Sequence, residues 1–332
     1  ILSVLRKLEI HDKTLRNIYN EELDKIGAIL LRLYALTAEE HAHRAGSESL
    51  RPDGINAIVL QRLEERMDEG IRASLLFLAV LKDDNQIAEL EPALRRYKGQ
   101  RQRSIVIEAL ESLLSPEERD HILPLLDETS LEQRVRAIAA TPGREIPNFG
   151  DALRGLLDDP DELTRTLAIA TWPPGFDAGG ESKRTSYDQE YPNMSSPVEI
   201  ALLLKSVPLF EHLSTRHLIN LAHATHEERF PSGTILCREG DLGNCMYLIV
   251  EGDARVTFGE RQLAEIGPRG FFGEMALFDG VARSATVTAT SDVRLLRLDR
   301  DDLMSLMEEL PSIGIGLCRV LSRKLREMNV HL

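Results

Sequence analysis

Gly273, Glu274 and Arg283 are residues whose types and spacing could do chemistry together. They lie in the run Phe272-Gly273-Glu274-Met275-Ala276-Leu277 and, a little further on, Arg283-Ser284-Ala285-Thr286-Val287. A glycine lets the backbone come close to a ligand. The amides that follow it, at the start of a short helix, can face an anion. Glu274 only accepts hydrogen bonds, so it suits a sugar hydroxyl and repels phosphate. Arg283 offers a planar fork of donors matched to phosphate oxygens. Ser284 and Ala285 are small and leave room beside it. The set suits one ligand that carries both a vicinal hydroxyl and a phosphate.

The elements that would hold these residues change character along the chain. From Pro197 a helix (Val198 to Lys205) leads to a second one (Ser214 to about Ala224). Glycines then recur every few residues, from Gly233 to Gly280, between short apolar stretches such as Thr234-Ile235-Leu236-Cys237 and Met246-Tyr247-Leu248-Ile249-Val250. Short strands with frequent turns predict a β-sandwich or barrel. Two more strands are expected after Val287, then a helix after Asp299, and a last helix from Pro311 to about Asn329.

The first half reads as helix throughout. Apolar residues fall at three- and four-residue steps, giving two helices up to about residue 45, further ones between Ile55 and Leu81, and a pair at 86–98 and 101–114. Ser115-Pro116 starts the next, with Ser as N-cap and Pro at the first turn. Two segments look like copies of one unit. Leu125-Leu126-Asp127 precedes Arg134, Ala137 and Ala139; Leu156-Leu157-Asp158 precedes Arg165, Ala168 and Ala170 at the same spacing. An Asp ending one helix and an Arg starting the next could bridge neighbouring units. This resembles the HEAT-type helical repeat; an irregular helical bundle is the alternative. Residues 173–197 are rich in Gly, Ser, Pro and charge and read as a linker. The expected organisation is therefore α+β and multidomain. A HEAT-like α-helical domain covers 1–172, a linker 173–197, and a jelly-roll-like β-roll with flanking helices 198–332.

Composition narrows the function classes. The 332 residues carry a net charge of −14, with acidic residues in both halves, which argues against a nucleic-acid surface built from clustered Lys and Arg. The cysteines Cys237, Cys245 and Cys318 have neither metal spacing nor an even-numbered framework, so a reducing, cytoplasmic compartment is expected. No run of about 18 apolar residues predicts a membrane span. β-Rolls of this kind include metalloenzymes, which need His and Glu ligands converging from strands. Here His212, His217, His223 and His226 lie in or just after a helix ahead of the roll; His217, His223 and His226 read as surface residues, as do His41 and His43 beside a polar loop. No Ser/His/Asp or Cys/His motif is present. The expectation is no catalytic residue, no metal and no cofactor.

The run from Phe272 to Val287 resembles the phosphate-binding cassette of the cyclic-nucleotide-binding domain family, of the catabolite activator protein and protein kinase A regulatory-subunit type. Phe272-Gly273-Glu274-Met275-Ala276-Leu277 and Arg283-x-Ala285-Thr286-Val287 fit its pattern; Ala282 stands where the family has proline. Phe230-Pro231-Ser232-Gly233-Thr234, Glu239-Gly240-Asp241 and Tyr247-Leu248-Ile249-Val250-Glu251-Gly252 extend the likeness over about 198–330. The resemblance implies that Arg283 pairs the phosphate, with backbone amides near Ala276 and Ala285 completing its shell. It implies that Glu274 holds the ribose 2′-hydroxyl. Ser284 sits where the family contacts a guanine amino group and is compatible with cAMP, favoured over cGMP. Met328 and Asn329 fall at the base-capping positions, and Ala282 is expected to loosen the turn before Arg283.

The implied role is a switch: the ligand draws the cassette helix inward and the last helix closes, signalling through the helical half. A DNA reader is not expected, because the family's helix-turn-helix would follow the last helix and the chain is acidic. An interaction scaffold with a non-binding cassette is the alternative. Asp83-Asp84-Asn85-Gln86-Ile87, the run Arg101 to Leu114 and Ile122-Leu123-Pro124-Leu125-Leu126-Asp127 resemble the helical region that follows ATP/ADP-translocase-like transporter domains in some bacterial proteins. That likeness implies a regulatory tail at the cytoplasmic face of a membrane, a fused or associated transporter as partner, and a longer protein preceding Ile1.

Overall fold

The computed structural model describes residues 12–43, 55–96, 100–126, 131–140, 144–172, 180–190, 195–211, 213–277, 280, 282–315, 317–318 and 322. They belong to two units, divided at Gly180.

The first unit is helical: α1 (Asp12–His43), α2 (Ile55–Leu81), α3 (Asn85–Arg96), α4 (Gln100–Leu113), α5 (Pro116–Leu126), α6 (Leu131–Ala139), α7 (Phe149–Leu157) and α8 (Glu162–Ala170). Leu2, Leu5 and Leu8 lie outside the described residues; of the two helices expected up to about residue 45, the described part is α1, unbroken over its length. Its apolar positions keep one stripe, with Leu23, Ile26, Leu30 and Leu33 all buried. α1 packs on α2, and Gly70 permits the contact. A Cβ there would lie 2.7 Å from Ile26 Cγ1, closer than packed carbons tolerate.

Charge is buried where these helices meet the α7–α8 turn. Arg62 is 2% exposed, and its Nε and Nη2 donate to the two carboxylate oxygens of Asp161, both at 3.1 Å. Arg66 and Arg32 donate to the two oxygens of Asp159, at 2.6 and 3.0 Å. Asp161 also N-caps α8, accepting from the Thr164 amide at 2.9 Å and its hydroxyl at 2.7 Å. Burial alone would raise the Asp161 carboxyl; the bonds from Arg62 and Thr164 outweigh it and hold it well below the usual carboxylate range.

The arginines of the repeated Asp/Arg motif bond to backbone oxygens. Arg134 donates to the carbonyls of Pro124 and Leu125, at 3.2 and 2.9 Å. Arg165 donates to the Asp159 carbonyl at 2.5 Å. Each arginine thus satisfies backbone oxygens at or just beyond the end of the preceding helix, which have no intrahelical partner. Asp158 is the C-cap of α7, and Asp127 lies outside the described residues.

The segment expected as a linker contains a helix, α9 (Gly180–Glu190). Its sequence is polar throughout, so no apolar stripe marked it. A capping box then opens α10 (Pro197–Lys205): the Ser196 hydroxyl accepts from the Glu199 amide, and the Glu199 carboxylate accepts from the Ser196 amide. α11 (Thr215–His223) follows, N-capped by Ser214.

The strands are β1 (Thr225–Phe230), β2 (Ile235–Cys237), β3 (Cys245–Glu251), β4 (Ala254–Phe258), β5 (Arg261–Ile266), β6 (Phe271–Phe272), β7 (Thr286–Ala289) and β8 (Val293–Asp299). They make two four-stranded antiparallel sheets, β1-β8-β3-β6 and β2-β7-β4-β5. Val287 lies inside β7, so one strand follows it rather than the two expected. Tyr247, Ile249, Ala254, Phe272, Val287 and Leu295 fill the space between the sheets. β3 is buried on both faces over Cys245–Ile249, with α10 against it. The last labelled helix, α12 (Arg300–Glu309), touches both β8 and the short 3-10 helix Glu274–Leu277. Among the described residues, no helix is long and apolar enough to cross a membrane.

Truncating Arg62 would leave Asp161 buried without its partner. We expect Arg62→Ala to destabilise the helical unit by about 3–5 kcal/mol, read as a lower denaturant midpoint in circular dichroism. Because the Asp161 carboxyl is depressed, its contribution is present above its ordinary value of 3.8 and lost as the pH falls below it. The gap between wild type and variant should therefore close on acidification.

Candidate functional site

The site is built at the junction of β6, the 3-10 helix and the approach to β7. β6 pairs with β3, placing Phe272 opposite Tyr247, and the two rings stack with centroids 5.2 Å apart. Phe272 is thereby anchored in the core immediately before the chain turns. Gly273 makes that turn at φ +82°, a left-handed conformation that strains any residue with a Cβ. A Cβ here would also lie 2.1 Å from Arg283 Nη1 and 3.0 Å from the Cys245 carbonyl. The 3-10 helix Glu274–Leu277 follows, holding Met275 and Ala276. Leu277 is fully buried and anchors it, whereas Met275 is exposed.

Arg283 is held by its backbone as well as its side chain. Its amide donates to the Asp241 carbonyl at 2.7 Å, and its carbonyl accepts from the Gly240 amide at 2.9 Å. One residue earlier, Ala282 bridges Leu242. The β2–β3 loop therefore pins the residues on which the chain enters the site, and the looseness expected of Ala282 is countered by this pairing. The half-buried guanidinium donates to the Gly273 carbonyl at 3.4 Å and to Cys245 Sγ at 3.3 Å. Both are weak partners, the first by length and the second because sulfur is a poor acceptor.

Glu274 and Arg283 line one cavity of about 220 Å³, together with Gly273, Met275, Ser284 and Ala285. Its remaining wall is apolar: Val256, Ile266, Phe271, Phe272 and Val287, with Cys237 and Ala282. Burial pushes the Cys237 thiol up, and the nearby Arg283 charge pulls against it. Beside the apolar part of the wall, where the local dielectric is low, the Arg283 guanidinium attracts an anion more strongly than it would in water. The cavity suits a small ligand whose anionic part meets Arg283 and whose hydroxyl meets Glu274.

Residues 227–310 match the family described as the cyclic nucleotide-binding domain. This segment belongs to that family. The chain is 38% identical over 135 residues to the cyclic AMP receptor protein of Thermus thermophilus, covering 39% of this chain and 62% of that one. It is 40% identical over 112 residues to a cyclic nucleotide-gated potassium channel of Rhizobium etli, 34% of this chain and 31% of the channel. A cAMP-dependent protein kinase regulatory subunit of Hypocrea atroviridis is 33% identical over 104 residues, 31% of this chain and 22% of the subunit. The chain thus spans less than two thirds of these relatives.

Within the cyclic nucleotide-binding domain, the cassette residues expected from the sequence converge. Phe272 supports the turn, and Gly273, Glu274, Met275, Arg283, Ser284 and Ala285 line the cavity. Ala276 lies in the 3-10 helix. Met328 and Asn329 lie outside the described residues. The apolar wall and the clamp at Gly240–Leu242 were not singled out by sequence, although period-two alternation in β4 and β7 marks Val256 and Val287 as inward-facing.

The histidines expected as surface residues behave individually. His226 Nε2 lies 3.6 Å from Asp302 Oδ2, and Asp299 completes a cluster whose ligand atoms lie within 4.8 Å of one another. Arg297 already donates twice to Asp299 Oδ1, at 3.0 and 2.6 Å, so that carboxylate carries a paired charge rather than one directed at a cation. His217 Nε2 meets the Ser312 hydroxyl at 2.9 Å, and His212 lies outside the described residues.

Gly273→Ala is expected to cost about 1–3 kcal/mol from the left-handed backbone alone, with the clash against Arg283 added to it. Thermal unfolding of the domain followed by tryptophan-independent probes, such as far-ultraviolet circular dichroism, would register the lower midpoint.

Proposed function

We propose that this protein is a cyclic-nucleotide sensor, with cAMP favoured over cGMP as ligand. The observation that carries the reading is the convergence of Glu274 and Arg283 on one cavity, with Gly273 at the turn just before Glu274. The cyclic phosphate would replace the Gly273 carbonyl and Cys245 sulfur as the partner of Arg283. Amides near Ala276 and Ala285 would complete its shell, and Glu274 would take the ribose 2′-hydroxyl. A phosphate is costly to bury unless it is paired and hydrogen-bonded, and these groups supply both. Ser284 is exposed at the cavity wall, where it leaves an adenine unhindered. Met328 and Asn329 would cover the base.

The consequence of binding is conformational rather than chemical. The 3-10 helix touches α12, so drawing the cassette inward would shift α12 and the helix beyond it. Such a shift requires that the ligand prefer the closed arrangement. The relatives that support this reading are named as a receptor protein, a gated channel and a regulatory subunit. We infer a regulatory module, cytoplasmic, whose output passes through the HEAT-like helical unit to a fused or associated effector. The sequence likeness to transporter tails makes a membrane transporter the partner we favour.

Calorimetric titration of cAMP and cGMP decides the matter. Wild type should release heat with cAMP and bind cGMP more weakly. Arg283→Ala should lose about 2–5 kcal/mol of affinity, since the phosphate would be buried unpaired. Glu274→Gln should lose about 1–3 kcal/mol. Absence of heat with either nucleotide in the wild type would overturn the proposal and leave an interaction scaffold as the remaining reading.

A further inference from the structure

An aromatic ring stands in water on the inward face of β4. Ala254 and Val256 point between the sheets from that strand; Ala254 is fully buried and Val256 lines the cavity. Phe258 is the next residue on the same face, yet it is 56% exposed. The ladder between β4 and β7 locates it. Ala254 pairs with Ala289, Val256 with Val287 and Thr257 with Thr286. One step further along that register brings Phe258 beside Ala285, which lines the cavity next to Ser284. Across the β4–β5 hairpin Phe258 pairs with Arg261, and register partners share a face. Arg261 is exposed as well. The turn that joins them is held in place, because the Gly259 amide donates to the Glu239 carboxylate at 3.0 Å. The hairpin tip thus carries a ring and a planar cation beyond the cavity wall, on the side of Ser284 and Ala285. Neither belongs to the cassette.

We propose that Phe258, flanked by Arg261, is a stacking surface for the purine of the bound nucleotide. The proposal rests on the reading of the cavity as a cyclic-nucleotide site. With the phosphate on Arg283 and the ribose on Glu274, the base is the part left to reach the rim, where that reading already sets Ser284 against it. An aromatic ring and a guanidinium plane are the side-chain surfaces on which bases stack. Stacking would also cover an apolar ring that the fold leaves in water. Phe258 contributes little to the core, so its placement at the cavity's edge is explained by a ligand better than by packing.

The test is calorimetry on the full chain with two ligands: cAMP, and ribose 3′,5′-cyclic phosphate, which has no base. Phe258→Ala should weaken cAMP binding by about 5- to 100-fold. The same variant should shift binding of the baseless ligand by less than about twofold, as an exposed substitution away from its contacts does. Phe258→Trp keeps an aromatic face and should keep the affinity for cAMP. If the wild type binds cAMP and Phe258→Ala binds it equally well, the stacking proposal alone is overturned. An equal loss with the baseless ligand, or a loss of cAMP binding in Phe258→Trp, overturns it too, since either assigns Phe258 a structural role. A wild type that takes up neither cAMP nor cGMP overturns the sensor reading, and the stacking with it.

Discussion

A positive charge half removed from water is the constraint around which the second unit is arranged. Arg283 shares a largely apolar cavity with Glu274 and Ser284, with a distant carbonyl and a sulfur as its acceptors. A guanidinium satisfied this poorly is an expensive thing to keep folded. The surrounding structure tolerates it by fixing the backbone on both sides of it, through Gly240 and Asp241, and by anchoring the facing turn with the Tyr247–Phe272 stack and buried Leu277. The stability is supplied by the sandwich, and the guanidinium stays open to the cavity.

The helical unit handles the same chemistry in the opposite way. Arg62 is buried more deeply than Arg283, yet it meets a bidentate carboxylate, which in turn caps a helix. Charge there is closed on itself and serves to fix where α8 begins. The saturated arginine holds helices in register, whereas the half-buried one keeps only weak acceptors and a face toward a cavity.

Much of this was legible in the sequence. The cassette fixed Gly273, Glu274 and Arg283 as a group because chemistry demands those types at that spacing, and the recurring glycines marked a sandwich of short strands. What was hidden has physical causes. α9 is polar on every side, so periodicity had nothing to detect. The Asp/Arg motif suggested a side-chain bridge, but no residue code announces the backbone carbonyls that both arginines reach. The clamp at Gly240–Leu242 pairs segments some forty residues apart through main-chain atoms. Cys237 and Cys245 carry no spacing signal because their relation runs across two sheets.

The β2–β3 loop has a further tie. Besides holding Arg283, it contains Glu239, whose amide donates to the Thr286 hydroxyl and whose carboxylate accepts from the Gly259 amide at the tip of the β4–β5 hairpin. The grip on Arg283 is thus strung, bond by bond, to a turn on the protein surface. A change in the backbone of that solvent-exposed hairpin tip would therefore act on the loop that holds Arg283 while touching no residue of the cavity wall.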